Sequence, residues 1–244
     1  MTSLDMNSSA LDISRLGLNS YKDKIPAEIY SPMQAFTQSD VFLVPIHKAG
    51  KSVTNNRNHS HKNVEDWIES LGGYRIGGWT LDRNNKQLNE GIYVWRFHSD
   101  WLTNDNKLVN VTIDNRHLNL DKHTFWHDAI RNADLDEGYT YNDLFITASK
   151  TAAAKFNVDV GRLYWFAGGF FKPVEEFDGR CYWLQEDYPK NFERLETEWG
   201  IRLMKTDKGF MPSHNKMPAN LNKDSQALEV LFRFSMKKTP NSTD

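Results

Sequence analysis

The chain has 244 residues and a formal net charge of −2, and 39% of its residues are hydrophobic. This length and apolar content are typical of one folded domain with a proper core, and they argue against a chain that is disordered throughout. The near-neutral charge, without a basic stripe, predicts that nucleic acid is not a partner.

Cysteine content and hydropathy narrow the class of protein further. The single cysteine, Cys181, excludes an intrachain disulfide framework and any all-cysteine zinc or iron–sulfur site. The first residues lack the basic and apolar regions of a secretory signal, and no window approaches the ~18 apolar residues of a membrane helix. We therefore expect a soluble, cytoplasmic protein without a membrane partner and without a cofactor.

Composition divides the chain into three regions. Residues 1–35 are rich in Ser, Asn, Asp and Lys, which predicts a loosely ordered N-terminal arm with an extended docking segment at residues 25–32. Residues 36–235 are predicted to form a single α+β domain. Residues 236–244 are a polar tail.

A helix and strands are predicted at the centre of this domain. Residues 63–71 carry apolar side chains at spacings of three, one and three, which is one helical face, and Gly72-Gly73 ends the helix. Residues 91–103 alternate as a half-buried strand does. Residues 103–106 form a turn, and residues 107–113 return as a second strand.

The remaining elements are less regular in sequence. Residues 41–46 predict a strand in which Pro45 indicates an edge or a strand end. The other expected elements are helices at residues 125–133, 144–156 and 192–199, strands at 74–79, 163–166, 180–184 and 228–234, and a loop at 205–225.

Three polar residues stand in an order that is used for acyl-transfer chemistry. Ser60 precedes the predicted helix, whose free N–H groups and dipole favour an oxyanion. His98 lies in the middle of a predicted strand. If the turn gives an even pairing sum, as three- and five-residue loops do, Asn110 lies on the same face as His98 and near it. This order predicts Ser60 as the nucleophile, His98 as the general base and Asn110 as the residue that orients His98.

The same stretch resembles a group of bacterial proteins that carry Cys-His-x-Asn-Val, then Gly-Gly, Gly-Trp, a His-x-Val-Trp strand and a Val-Asp-Val-Thr-Pro strand. That order is similar to the core of transglutaminase-like and papain-like thiol hydrolases, which use Cys, His, then Asp or Asn. The resemblance is confined to residues 59–112. The corresponding residues are His61, Asn63-Val64, Gly72-Gly73, Gly78-Trp79, His98, Trp101 and Val109-Asn110-Val111-Thr112.

The chain departs from this pattern at three positions. Ser60 stands in place of the cysteine, Asn110 in place of the aspartate and Ile113 in place of the proline. A helix terminus can ionise a thiol of pKa about 8.5, whereas a serine must lose its proton to a base during attack. Either the activity is lost and the cleft kept, or the serine is an engineered replacement of a cysteine.

The resemblance implies a hydrolase or acyltransferase that acts on an amide or thioester. The partner would be a peptide, a protein or a small acyl substrate. The implied fold is α+β, with a helix packed on an antiparallel sheet in a papain/transglutaminase-like core with C-terminal additions. The oligomeric state does not follow from the sequence.

Two other interpretations remain open. The first is a non-catalytic module that binds a peptide or protein in the same cleft, since a serine before a helix is most often an N-cap and a lone strand histidine is most often structural. The second is a metal-dependent hydrolase in which the His-x-His pair of His59 and His61 joins His98 as an imidazole set. Cys181 lies in an apolar strand-like context that predicts a buried structural thiol.

Overall fold

An antiparallel sheet built from strands along most of the chain organises this protein. The computed structural model describes residues 13–47, 60–82, 85–112, 121–167, 170–200, 203–206 and 209–212. Helices lie against this sheet, so the predicted α+β class is confirmed.

The elements are numbered in chain order. The strands are β1 (Asn19–Ser20), β2 (Val41–Pro45), β3 (Tyr74–Leu81), β4 (Ile92–Leu102), β5 (Leu108–Val109), β6 (Lys122–His127), β7 (Tyr139–Tyr141), β8 (Asp143–Thr147), β9 (Tyr164–Ala167), β10 (Phe170–Pro173), β11 (Arg180–Tyr182), β12 (Leu203–Thr206) and β13 (Gly209–Pro212). The helices are α1 (Ala27–Thr37), α2 (Ser60–Leu71), α3 (Asn85–Asn89), α4 (Ala129–Asp134), α5 (Lys150–Phe156) and α6 (Tyr188–Thr197).

Part of the main sheet closes into a ring. The main sheet has nine strands in the order β1-β2-β6-β3-β4-β8-β9-β10, and β5 pairs with β4. Beyond β5, Asn110 pairs with Ile46 at the end of β2, in a parallel bridge. The strands β2, β6, β3, β4 and β5 therefore enclose an interior, and each of them has an inner face toward it.

The two faces of these strands belong to different cores. Side chains on the inner face pack together with Ile13, and they come from every strand of the ring: Val44, Ile76, Leu102, Leu108 and Phe125. The outer face carries Trp79, Phe97 and Trp126, which pack against Ile29 and Met33 of α1 in the largest apolar cluster.

Helix α2 packs on the outer face as well. The Trp67 and Trp101 rings lie 5.0 Å apart, and Val64 and Trp67 are buried against Val111. The helix ends at Gly72 and Gly73, whose φ angles of 75° and 95° suit glycine. The predicted sequence of a helix followed by β3, β4 and β5 is confirmed.

Four predicted elements have a different structure. Residues 27–35 belong to α1 rather than to an arm, because burial of Ile29 and Met33 outweighs the extended preference expected near Pro26 and Pro32. A helix was predicted at residues 125–133, but residues 122–127 form a strand and the helix spans residues 129–134.

The third difference lies at residues 144–156. Leu144, Phe145 and Ile146 are buried on both faces of β8, so their continuous apolar run gives no strand alternation. The helix begins only after Ser149, whose side chain caps Ala152 N–H.

The C-terminal predictions are tested only in part. Residues 203–206 and 209–212 pair as an antiparallel hairpin, where a loop was expected. The predicted strand at 228–234 and the polar tail at 236–244 lie outside the described residues, as does Ile113.

Gly78 provides a test of the close approach of β3 and β6. It pairs with His98 of β4 and His127 of β6, and a Cβ there would overlap the backbone oxygen of Trp126 and the Phe125 ring. We expect Gly78→Ala to lower the free energy of unfolding by about 3 kcal/mol or more, because backbone must move. Denaturant unfolding measures this loss.

The matched control is Gly17→Ala. Gly17 has a φ of 67°, and a Cβ added there would lie in open space. We therefore expect this substitution to cost only the conformational strain of a positive φ, about 1 kcal/mol. Equal losses in the two variants would contradict the packing described for β3 and β6.

Candidate functional site

A polar stretch lies on the inner face of β4, between apolar residues at either end. Alternation along the strand puts His98 and Asp100 on the face that also carries Val94 and Leu102. Both polar side chains are buried, and 8% of the His98 surface is exposed to solvent.

His98 and Asn110 are in contact, as the pairing argument predicted. Trp101 pairs with Val109 and Leu102 with Leu108, so continuing this register puts Asn110 opposite Asp100 and diagonal to His98. His98 Nε2 lies 3.3 Å from Asn110 Oδ1. Asn110 Oδ1 also accepts the Thr112 N–H at 2.7 Å, which fixes the amide orientation.

Two residues that the sequence argument did not select complete the cluster. Asp100 Oδ1 lies 3.3 Å from His98 Nε2, and Asp100 Oδ2 lies 2.9 Å from His123 Nε2. The other ring nitrogen of His123 shares a hydrogen bond of 2.9 Å with the Thr80 hydroxyl. We call His98, Asp100, Asn110 and His123 the inner-face cluster.

Sequence signals for these two residues were weak. Asp100 is two residues from His98 in a strand, which puts the two on one face, and this spacing could have drawn attention to it. His123 lies near a segment that was predicted to be helical, and its position across the ring from Asp100 depends on ring closure.

Asp100 carries a charge in the interior. Burial by itself would raise the pKa of this carboxyl group, but attraction to His123, hydrogen bonding to His123 and contact with His98 outweigh it and lower the pKa to about 2. The carboxylate is therefore ionised at neutral pH, although Asp100 has no exposed surface.

Ser60 is not part of the inner-face cluster. It is the first residue of α2, and the next residue, His61, contacts Ser99 and the Phe97 ring on the outer face of β4. Within the described ranges, no hydrogen bond joins Ser60 to His98. The structure thus brings together His98 and Asn110, two of the three residues predicted for the triad, while Ser60 shares no hydrogen bond with them in the described ranges.

His61 is also engaged away from His98. Its Nδ1 lies 2.6 Å from Ser99 Oγ and its Nε2 lies 2.9 Å from Thr140 Oγ1. The imidazole set of the sequence analysis is therefore not assembled from His61 and His98, and His59 lies outside the described residues. The cause is strand alternation, which turns neighbouring residues of β4 to opposite faces.

Cys181 does not have the properties of a nucleophile. It lies on β11, paired with β7, and its thiol contacts the backbone oxygen of Gly179 at 3.7 Å. Burial raises the pKa of the thiol to about 12, so the reactive thiolate is scarce at neutral pH.

Comparisons with known proteins give no family. No protein-family model, no curated protein and no solved structure significantly matches this chain. Of the helices in the described ranges, none has the length and apolar character needed to cross a membrane.

Asp100→Asn tests the buried charge. Because folding lowers the pKa of Asp100 from 3.8 to about 2, its ionised form stabilises the fold above pH 3.8, and this contribution is lost as the pH falls toward about 2. We expect the variant to be less stable by about 2 kcal/mol at neutral pH. Denaturant unfolding of both proteins across this pH range measures the difference.

Asp136→Asn is the control. That carboxylate is largely exposed, so we expect the substitution to change the free energy of unfolding by no more than about 0.5 kcal/mol. A difference between Asp100→Asn and wild type that persists unchanged in acid would mean that the Asp100 charge does not stabilise the fold.

Proposed function

We propose that the protein is a hydrolase of acyl compounds, amides or thioesters, in which His98 accepts a proton and Asn110 orients the imidazole ring. The observation that carries this proposal is the 3.3 Å contact between His98 Nε2 and Asn110 Oδ1. An amide oxygen on Nε2 favours the tautomer with the proton there, and it leaves Nδ1 as the nitrogen that can accept a proton.

The order of elements supports the proposal. Helix α2, the strand with His98 and the segment with Asn110 follow one another as the Cys, His and Asp or Asn elements do in transglutaminase-like and papain-like thiol hydrolases. We therefore propose that the fold contains a core of the transglutaminase-like or papain-like type. The single cysteine, which leaves no intrachain disulfide, supports our further proposal of a cytoplasmic location.

Water is the nucleophile that suits this arrangement. Because no hydrogen bond joins Ser60 to His98 in the described residues, we assign the proton-accepting role of His98 to a water molecule rather than to Ser60. In hydrolysis by water, His98 takes a proton from the water molecule as its oxygen attacks the acyl carbon. The bond to sulfur or nitrogen then breaks, and the proton passes to the leaving thiol or amine.

A non-catalytic binding protein is the second candidate. The observations that favour it are the absence of a hydrogen bond between Ser60 and His98 in the described residues and the small exposure of His98. A protein that kept the core of a hydrolase without a working nucleophile would bind a peptide or a protein on this surface and would not turn it over.

Hydrolysis of a panel of simple thioesters and peptide p-nitroanilides separates these candidates. We expect turnover by the wild type, a loss of about 100-fold or more in His98→Ala, and a smaller loss in Asn110→Ala, because the ring keeps its base but loses its orientation. Ser60→Ala is the control and should retain the wild-type rate. Absence of turnover in the wild type, or equal rates in wild type and His98→Ala, would exclude the hydrolase and favour the binding protein.

Thiol labelling tests the position of Ser60 directly. In a Cys181→Ala background, Ser60→Cys introduces the only thiol, and its alkylation by iodoacetamide is followed by mass spectrometry. We expect the same labelling rate with and without His98→Ala, because the neighbouring residue His61 contacts Ser99 on the face of β4 opposite to His98. A labelling rate that falls on removal of His98 would show that the two residues meet, and would restore the Cys-His-Asn type of site with Ser60 in the nucleophile position.

A further inference from the structure

The inner-face cluster contains three groups that bind metal ions in proteins. One ligand atom from each of His98, Asp100 and His123 lies within 4.8 Å of the others, and all three residues are buried. Two imidazole nitrogens and one carboxylate oxygen are a ligand set found in zinc enzymes and in non-haem iron sites.

The distances suit a bound ion. Bonds of about 2.0–2.2 Å from nitrogen and oxygen to a tetrahedral metal put neighbouring ligand atoms about 3.3–3.6 Å apart. His98 Nε2 and Asp100 Oδ1 are 3.3 Å apart, which matches this spacing. His123 Nε2 and Asp100 Oδ2 are 2.9 Å apart, so these two side chains would move slightly apart around an ion.

Buried polar atoms without partners provide a second reason. Asp100 has no exposed surface, and its Oδ1 receives no hydrogen bond in the described structure. Asn110, also fully buried beside His98, has an Nδ2 without a hydrogen-bond partner. These unpartnered polar atoms mark a place where the protein's own groups do not complete the interactions.

The surroundings orient the ligands as outer-shell residues do in metal sites. The Thr80 hydroxyl engages His123 Nδ1 at 2.9 Å, and this contact directs Nε2 toward Asp100. Asn110 Oδ1, at 3.3 Å from His98 Nε2, is an oxygen that could join the coordination.

We propose that His98, Asp100 and His123 bind one divalent transition-metal ion of the zinc class inside the strand ring. The inference uses the same histidine as the proposed function but does not rest on it, since binding of the ion requires no substrate. An ion on Nε2 of His98 would take the place of the hydrogen bond to Asn110, so the ion-bound protein would not use His98 as a base.

Titration of the metal-free wild type with Zn²⁺ and with Co²⁺ tests the proposal. We expect saturable binding of one ion per chain, a visible Co²⁺ spectrum and a rise in Tm on addition of Zn²⁺. Asp100→Asn and His123→Gln should each weaken binding by about 100-fold or more, and Thr80→Val by about 10-fold, since loss of a ligand exceeds loss of an outer-shell partner.

The double variant His59→Gln, His61→Gln is the matched control, because it removes the His-x-His pair and keeps the inner-face cluster. It should bind the ion as the wild type does. Absence of saturable binding in the wild type would overturn the proposal and leave a hydrogen-bonded His–Asp–His network. Loss of binding in the double variant with retention in Asp100→Asn would overturn it as well.

If the variants of the proposed metal ligands do not fold, an experiment on the wild-type protein tests the metal site. Addition of Co²⁺ should shift the imidazole NMR signals of His98 and His123 more than those of the other histidines. Shifts confined to other histidines would overturn the proposal. Hydrolysis that depends on His98 without any ion would support the proposed function alone, so the two proposals can fail separately.

Discussion

Backbone pairing of Asn110 with the end of β2 is the constraint on which the inner-face cluster depends. Asn110 N–H donates to Pro45 O at 2.9 Å, and Asn110 O accepts the His47 N–H at 2.8 Å. These bonds join the last strand of the ring to the first and convert one face of an open sheet into an interior. Without these bonds, the face of β4 that carries His98 and Asp100 would be open to solvent. His123 of β6 would then not be held against Asp100.

Closure has an energetic consequence for the polar residues that it encloses. The interior contains an apolar layer, formed by residues such as Ile76 and Leu108, next to a polar layer formed by the inner-face cluster. In this setting an ionised Asp100 must be compensated by its neighbours, because water does not reach it. Enclosure leaves polar atoms of Asp100 and Asn110 unpartnered, whereas the contacts of Asp100 with His123 and His98 lower its pKa against the effect of burial.

The same strand determines what Ser60 can do. Adjacent residues of β4 point to opposite sides, so His98 faces the interior while Ser99 faces α2 and bonds to His61. The first turn of α2 therefore contacts the outer face of β4 through His61. The order of a helix, a strand with histidine and a strand with asparagine does not by itself make a triad. The three side chains must also lie on the same side of the sheet.

Local pattern was enough to predict much of this protein. The apolar spacing of residues 63–71, the glycines that follow and the turn at 103–106 specify α2, β3, β4 and the return toward Asn110, since each depends on contacts close in the chain. Register parity then predicted the contact of His98 with Asn110. Tertiary structure alone decided the rest. Residues 123–127 and 144–146 are strands because they pair with segments distant in the chain. Burial of both of their faces removes the alternation that marks a strand in the sequence. The contact of His123 with Asp100 depends on ring closure, and the contact of His61 with Ser99 depends on the face of β4 against which α2 packs. Long-range packing determines both.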